Sequence, residues 1–192
     1  MTGTWPTGWA TGDIETAAEF KKGIGAISDT TLGAPAANID ITSIVGTYAH
    51  LLVWVYARGD TALAITSLLA RFNGDSAANY DFQIFEGSAA ALLVNESFAA
   101  TSALAGRIPA NTAEANLFNA SLTFIPHYAG SSNNKVALSV SSAKSGVTSG
   151  SIDNTLVGGF WRSNAAINRI TLLPIAGNFV AGTRVSLYGM GA

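Results

Sequence analysis

The sequence predicts an all-β protein: an antiparallel β-sandwich, jelly-roll-like, over residues 39–192, preceded by an N-terminal arm, residues 1–38, with one short helix. Three observations predict it. From Ile39 onward the apolar residues recur with a period of two, the repeat of a strand and not of a helix. About ten such short runs are separated by Gly, Asn, Asp and Ser turn signals, as in sandwiches and jelly rolls. No strong helical pattern interrupts them.

The elements follow in order. The arm opens with "MTGTWPTGWATGD", where Trp5 and Trp9 sit among Gly, Thr and Pro6, a poor recipe for regular structure. Asp13 reads as an N-cap with Glu15 in the first turn. Ala17, Phe20, Ile24 and Ile27 then form one narrow helical face, and Lys21 and Lys22 suit the C-terminal end of the dipole. Gly23 and Gly25 keep the helix short, and "TLGAPAAN" reads as a loop. "AHLLVWVYAR" is apolar on both faces, which describes a central strand covered on both sides, with Trp54 in the core. "ALAITSLLARF" and "YDFQIFE" continue the series. In "LFNASLTFI" the alternation places Phe118, Ala120, Leu122 and Phe124 inward and Asn119, Ser121 and Thr123 outward. "KVALSVS" repeats this with Val136, Leu138 and Val140 inward. "SSAKSGVTSGS" reads as a flexible loop. "TLVGGFW", "AINRITLL" and "RVSLYGM" supply the last strands, the closing segment "ITLLPIAGNFVAGTRVSLYGMGA" reading as a β-hairpin.

Composition narrows the function. Of the 192 residues 48% are hydrophobic and only 11% charged, against a usual charged share of about 25%. A chain so short of charge is expected to cover much of its surface with copies of itself or with a larger assembly. The net charge of −2 and the lack of a basic stripe give nucleic acid no electrostatic footprint. The absence of cysteine removes disulfides and thiolate metal sites. The start lacks the basic and apolar regions of a signal peptide, and no apolar run is long enough to span a membrane.

The motifs that could carry chemistry have simpler explanations. Arg58-Gly59-Asp60 spells an integrin-recognition tripeptide, but a tight turn between two strands accounts for it. "FNGDSAANYD" gathers Asn73, Asp75, Asn79 and Asp81, oxygen ligands suited to calcium, yet lacks the EF-hand order and reads as a turn. His50 and His127 fall in no G-x-S-x-G or H-E-x-x-H signature and are expected to be structural. Glu86, Glu96 and Glu114 are the carboxylates to test for glycan hydrolysis, and Trp161 fits either a core or a sugar platform. No cofactor motif is present, and no catalytic residue is assigned.

"TWPTGWATGDIETAAEF", "YAHLLVWVYARGD", "ARFNGDSAANYDF" and "FWRSNAAINRITLLPIAGNFVAGTRVSLYGM", taken in that order, resemble a group of tailed-bacteriophage virion proteins. The likeness covers most of the chain and departs from the group at "ARGD", where "ARSD" is expected. It implies a non-enzymatic structural protein of the particle, located in the virion and assembled in the bacterial host cytoplasm. A capsid decoration (cement) protein bound to the head shell as a homo-oligomer, a trimer first among them, is the leading expectation. A tail fibre or tail-tip component and a carbohydrate-binding module are the alternatives. The expected partners are phage capsid or tail proteins, with neither nucleic acid nor membrane. Trp5, Trp9 and Phe20 are the candidate partner-binding residues, since aromatic anchors concentrate binding energy in few side chains.

Overall fold

The computed structural model describes residues 23–191. Trp5, Trp9 and Phe20, and most of the expected arm helix, lie outside the described residues. The described residues form twelve strands: β1 (Ile24–Thr31), β2 (Ile39–Ile41), β3 (His50–Tyr56), β4 (Ile65–Phe72), β5 (Tyr80–Ser88), β6 (Ala91–Ala100), β7 (Ala103–Pro109), β8 (Ala120–Pro126), β9 (Lys135–Lys144), β10 (Ile152–Trp161), β11 (Ile170–Pro174) and β12 (Arg184–Met190). They make an eight-stranded sheet in the order β1-β12-β3-β8-β9-β10-β5-β6 and a four-stranded sheet in the order β2-β11-β4-β7. Neighbours pair antiparallel throughout.

The small sheet packs against one face of the large one, and the filling differs between the two halves. Over β3 and β12 it is conventional: Leu51, Val53, Val55, Val185 and Leu187 meet Leu68, Ala70 and Phe72 of β4 and Ile170 and Leu172 of β11 in one buried cluster. Over β8, β9 and β10 it is hydroxylic. Ser121, Thr123, Ser139, Ser141 and Thr155 are all buried. β7 lies across this floor, and its small residues Ala103, Ala105 and Gly106 allow a close approach. Gly106 has φ 133°, and a Cβ there would collide with the Ser141 side chain.

The hydroxyls are satisfied locally, which makes their burial tolerable. Thr123 and Ser139 share a hydrogen bond of 2.8 Å, and Ser141 and Thr155 one of 2.6 Å. Ser121 donates to the Ala105 carbonyl, and the Arg107 N–H donates to Ser141 Oγ. Asn119 closes the layer: its Oδ1 accepts from the Ala57 N–H and its Nδ2 donates to the Arg107 carbonyl. The Arg107 guanidinium reaches Glu86 at 2.6 Å and Ser67 at 2.6 Å.

Four expectations are corrected. The inward and outward sides of β8 and β9 are exchanged: Asn119, Ser121 and Thr123 are buried, while Val136, Leu138 and Val140 are exposed. Hydrogen bonding among small polar groups under β7 outweighs the hydrophobic preference there. The closing segment is not a hairpin. β11 belongs to the small sheet and β12 to the large one, and the connection is pinned by fully buried Phe179, which bridges to Ala36 and Gly59. Ile24 and Ile27 belong to strand β1 instead of a helix, because β12 offers the segment a ladder, with Ile27 at its bulge. Trp54 leaves the core for the outer face, where it is 50% exposed.

Candidate functional site

The outer face of the large sheet carries the surface that stands out. Strand pleating alternates side chains, so the polar inner positions of β8–β10 leave the apolar ones outside. The register aligns them into a row: Trp54 (β3), Leu122 (β8), Val140 (β9), Leu156 (β10), Phe85 (β5) and Val94 (β6) stand opposite one another in turn. A second row runs through Tyr188 (β12), Leu52 (β3), Phe124 (β8) and Leu138 (β9) before reaching Gly158 of β10. Phe160, half exposed, flanks the rows at one end, and Tyr56 stacks on Phe118 at the other, ring centroids 4.6 Å apart. With strands about 4.8 Å apart, the first row is about 24 Å long and the patch on the order of 500 Å². That matches the largest patches monomers show, which are often functional.

Charges sit at the rim. Asp29 of β1 accepts from Arg184 Nε at 2.9 Å and from Ser186 at 2.9 Å. These hydrogen bonds, that from Arg184 foremost, hold its carboxyl at about 2. Arg162 pairs with Asp81 at 3.5 Å at the opposite corner. Between Trp54, Tyr56 and Tyr188 and the Arg184–Ser186 end of β12 lies a shallow cavity of about 360 Å³.

The other sequence candidates resolve into structural roles. Arg58 donates to the carbonyls of Glu114, Leu117 and Ala113. Asp60 accepts from the Asn178 backbone and side chain at 2.6 and 2.9 Å, and Gly59 is buried. The tripeptide is therefore built into the sandwich end. Asn73 (φ 54°) and Gly74 (φ 72°) form the tight turn between β4 and β5. Asp75 accepts from Trp161 Nε1 at 2.7 Å and from Asn79 at 2.9 Å, and Asn73 Oδ1 accepts from the Asn168 N–H. Among the described residues, no three His, Cys, Asp or Glu side chains gather as metal ligands. Trp161 is 3% exposed and stacked near Tyr80, so it is core and offers no platform.

His50 and His127 do come together, rings 5.1 Å apart, with the His127 N–H donating to His50 Nδ1. Phe124 lies against His50, and the pair edges the outer face. The glutamates diverge. Glu86 points inward to Arg107, Glu96 stands on β6 opposite Gln83, and Glu114 accepts from the Val147 N–H.

No family model matches the chain, and no curated protein matches it. Among solved structures it has a faint likeness to the crystal structure of Ail, the attachment invasion locus protein of Yersinia pestis, with 7% identity and a TM-score of 0.16 over 60% of this chain and 99% of that one. A likeness this small carries no argument about fold or role.

Proposed function

We propose that the chain is a non-enzymatic structural component of a tailed-phage virion, a capsid decoration protein that sits on the head shell as a homo-oligomer. The observation that carries the reading is the apolar row from Trp54 to Val94 on the outer sheet face. An isolated subunit leaves Trp54, Leu138, Phe160 and their neighbours half in water, whereas a lattice of copies removes them from it. The phage-like motifs supply the kind of particle, and the two-sheet sandwich, with its long β11-to-β12 crossing, agrees with a jelly-roll-like form. Support for a non-catalytic role comes from the candidate groups themselves. Glu86 is committed to Arg107, and Asp75 to Trp161 and Asn79.

The experiment is copy number. Phage heads and tails are separated and the protein is quantified in each. A count tied to the head lattice is expected. A few copies travelling with tails would overturn the decoration role in favour of a tail component, and absence from both would overturn the virion reading.

A second reading is favoured by one specific feature. Exposed Trp54 and Tyr56 with half-buried Tyr188, beside Arg184, resemble the aromatic-plus-polar floor of a carbohydrate-binding module. Retention on a host-polysaccharide column that Trp54→Ala abolishes, with unchanged oligomer mass, is the result that reading requires.

A further inference from the structure

The outer apolar row ends on β6, and β6 is an open edge. Among the described residues it is the last strand of the large sheet and pairs only with β5. From Ala91 to Ser97 its pairing is unbroken, with no proline, lysine or arginine and one charge, Glu96, and a bulge with Ala99 at φ 55° interrupts it only after Ser97. Long flat edges of this kind are templates for another strand, and natural proteins guard them with charge, bulges, brevity or proline. The other edges are guarded within their central residues or are short. β1 carries a bulge between Ala26 and Ser28 and the Asp29–Arg184 pair. β2 has three residues. β7 carries its own irregularity, Arg107 and Pro109.

Among the described residues β6 is also uncovered on its inner side. Its β5 neighbours Ile84 and Glu86 are buried, but Leu93 opposite Glu86 is 47% exposed and Leu92 on the outer side is 75% exposed. The Glu96 N–H takes the oxygen of the adjacent Asn95 side chain at 2.9 Å. That local bond satisfies the N–H in the single chain, and an added strand has to replace it with a ladder bond.

We infer that β6 is a strand-addition site whose occupant is β6 of a second copy, paired antiparallel about a twofold axis through Val94. The symmetry restricts the geometry. A twofold axis that brings two like edges together antiparallel must stand perpendicular to the sheet, so outer face continues into outer face and Val94 meets its own copy. Leu92 then lies along the aliphatic stem of Glu96 of the second copy, and Leu93 lies opposite Asn95. No like charges meet. The six-residue apolar row joins its counterpart, giving one row across twelve strands. The inference rests on the self-assembly reading above for that continuity, and the row's end at this long regular stretch of edge selects a second copy over an unrelated strand.

The test uses the full chain. Its mass in solution is expected to be an even multiple of the 19.7 kDa chain, with amide exchange in Leu92–Glu96 slowed roughly tenfold or more relative to a diluted sample. Leu93→Lys with Asn95→Lys sets like charges opposite each other on the inner side, away from the outer face, and should halve the mass. Leu93→Lys with Asn95→Glu sets opposite charges across the same axis and should restore it. Because the chain has no cysteine, Val94→Cys should give a disulfide-linked pair, and Ser97→Cys should not. A trimer whose β6 amides exchange as an open edge overturns the inference and leaves the assembly reading intact. A monomer at all concentrations overturns both. Loss of β6 protection on deleting residues 1–22, with mass unchanged, overturns it in favour of the chain's own arm as occupant.

Discussion

Replacing Leu138, Val140 and Leu156 together by threonine separates folding from assembly. These side chains are 49%, 45% and 43% exposed. Full burial of such a side chain contributes about 1.5–3 kcal/mol. The half still in water is therefore worth roughly 0.7–1.5 kcal/mol per residue, about 2–4.5 per subunit and about 4–9 where two faces meet. At about 1.4 kcal/mol per tenfold, contact between faces weakens by about a thousandfold to a millionfold. The isolated subunit loses much less, roughly 1 kcal/mol per site or below, since threonine keeps the strand preference and no sealed cavity opens. Sedimentation equilibrium reads the first effect, and urea unfolding of dilute protein reads the second. If the triple variant loses 2–5 kcal/mol per site, as core deletions do, while its mass stays unchanged, the outer face is not an interface and the reasoning fails.

Three further outcomes are expected. Gly106→Ala should destabilise by roughly 2–5 kcal/mol, combining left-handed backbone strain with overpacking on Ser141; Ser141→Gly in the same chain should recover part of the loss, measured by urea midpoint. Glu86→Ala should cost roughly 2–4 kcal/mol by leaving the Arg107 guanidinium unpaired between the sheets, with Glu86→Gln milder because it still accepts a hydrogen bond. Asp29, whose carboxyl titrates at about 2 when folded against about 3.9 unfolded, contributes stability that is complete above about pH 4 and lost as pH falls toward 2. Asp29→Asn should flatten acid unfolding in that window alone, followed by circular dichroism.

The strand content was legible because a period of two survives in "NASLTFI" and "KVALSVS" whatever covers them. The side facing the core was not legible. Alternation has a period but no sign, and Leu122 and Leu138 look like core until β7 is known to lie on the serines opposite. One signal was available: β7 opens with Ala-Leu-Ala-Gly, small enough on one side to approach a floor of serines closely. Trp54 left the expected core and Trp161, open between two readings, entered it for related reasons. Trp161 is held inside by Asp75, 86 residues away in sequence, and Trp54 is outside because its strand's outer side has no second layer among the described residues. β6, rich in Ala and Leu with a Glu, has the composition of a helix and becomes a strand through its pairing with β5. The turn at Asn73-Gly74 followed from local chemistry and could be read directly, whereas Arg58-Gly59-Asp60 is not the expected tight turn: Gly59 bridges to Phe179, and Asp60 is held by Asn178, 118 residues away.

β1 and β12 lie side by side, Ile24 opposite Met190, and the Gly191 N–H donates to the Gly23 carbonyl at 3.0 Å. The first and the last of the described strands thus share one corner, at the edge of the large sheet farthest from β6. A pair of subunits zipped through β6 would hold those two corners at opposite ends of one sheet, at most about 70 Å apart. Such a molecule could grip two neighbouring sites at once, with the spacing between its grips set by the number of strands.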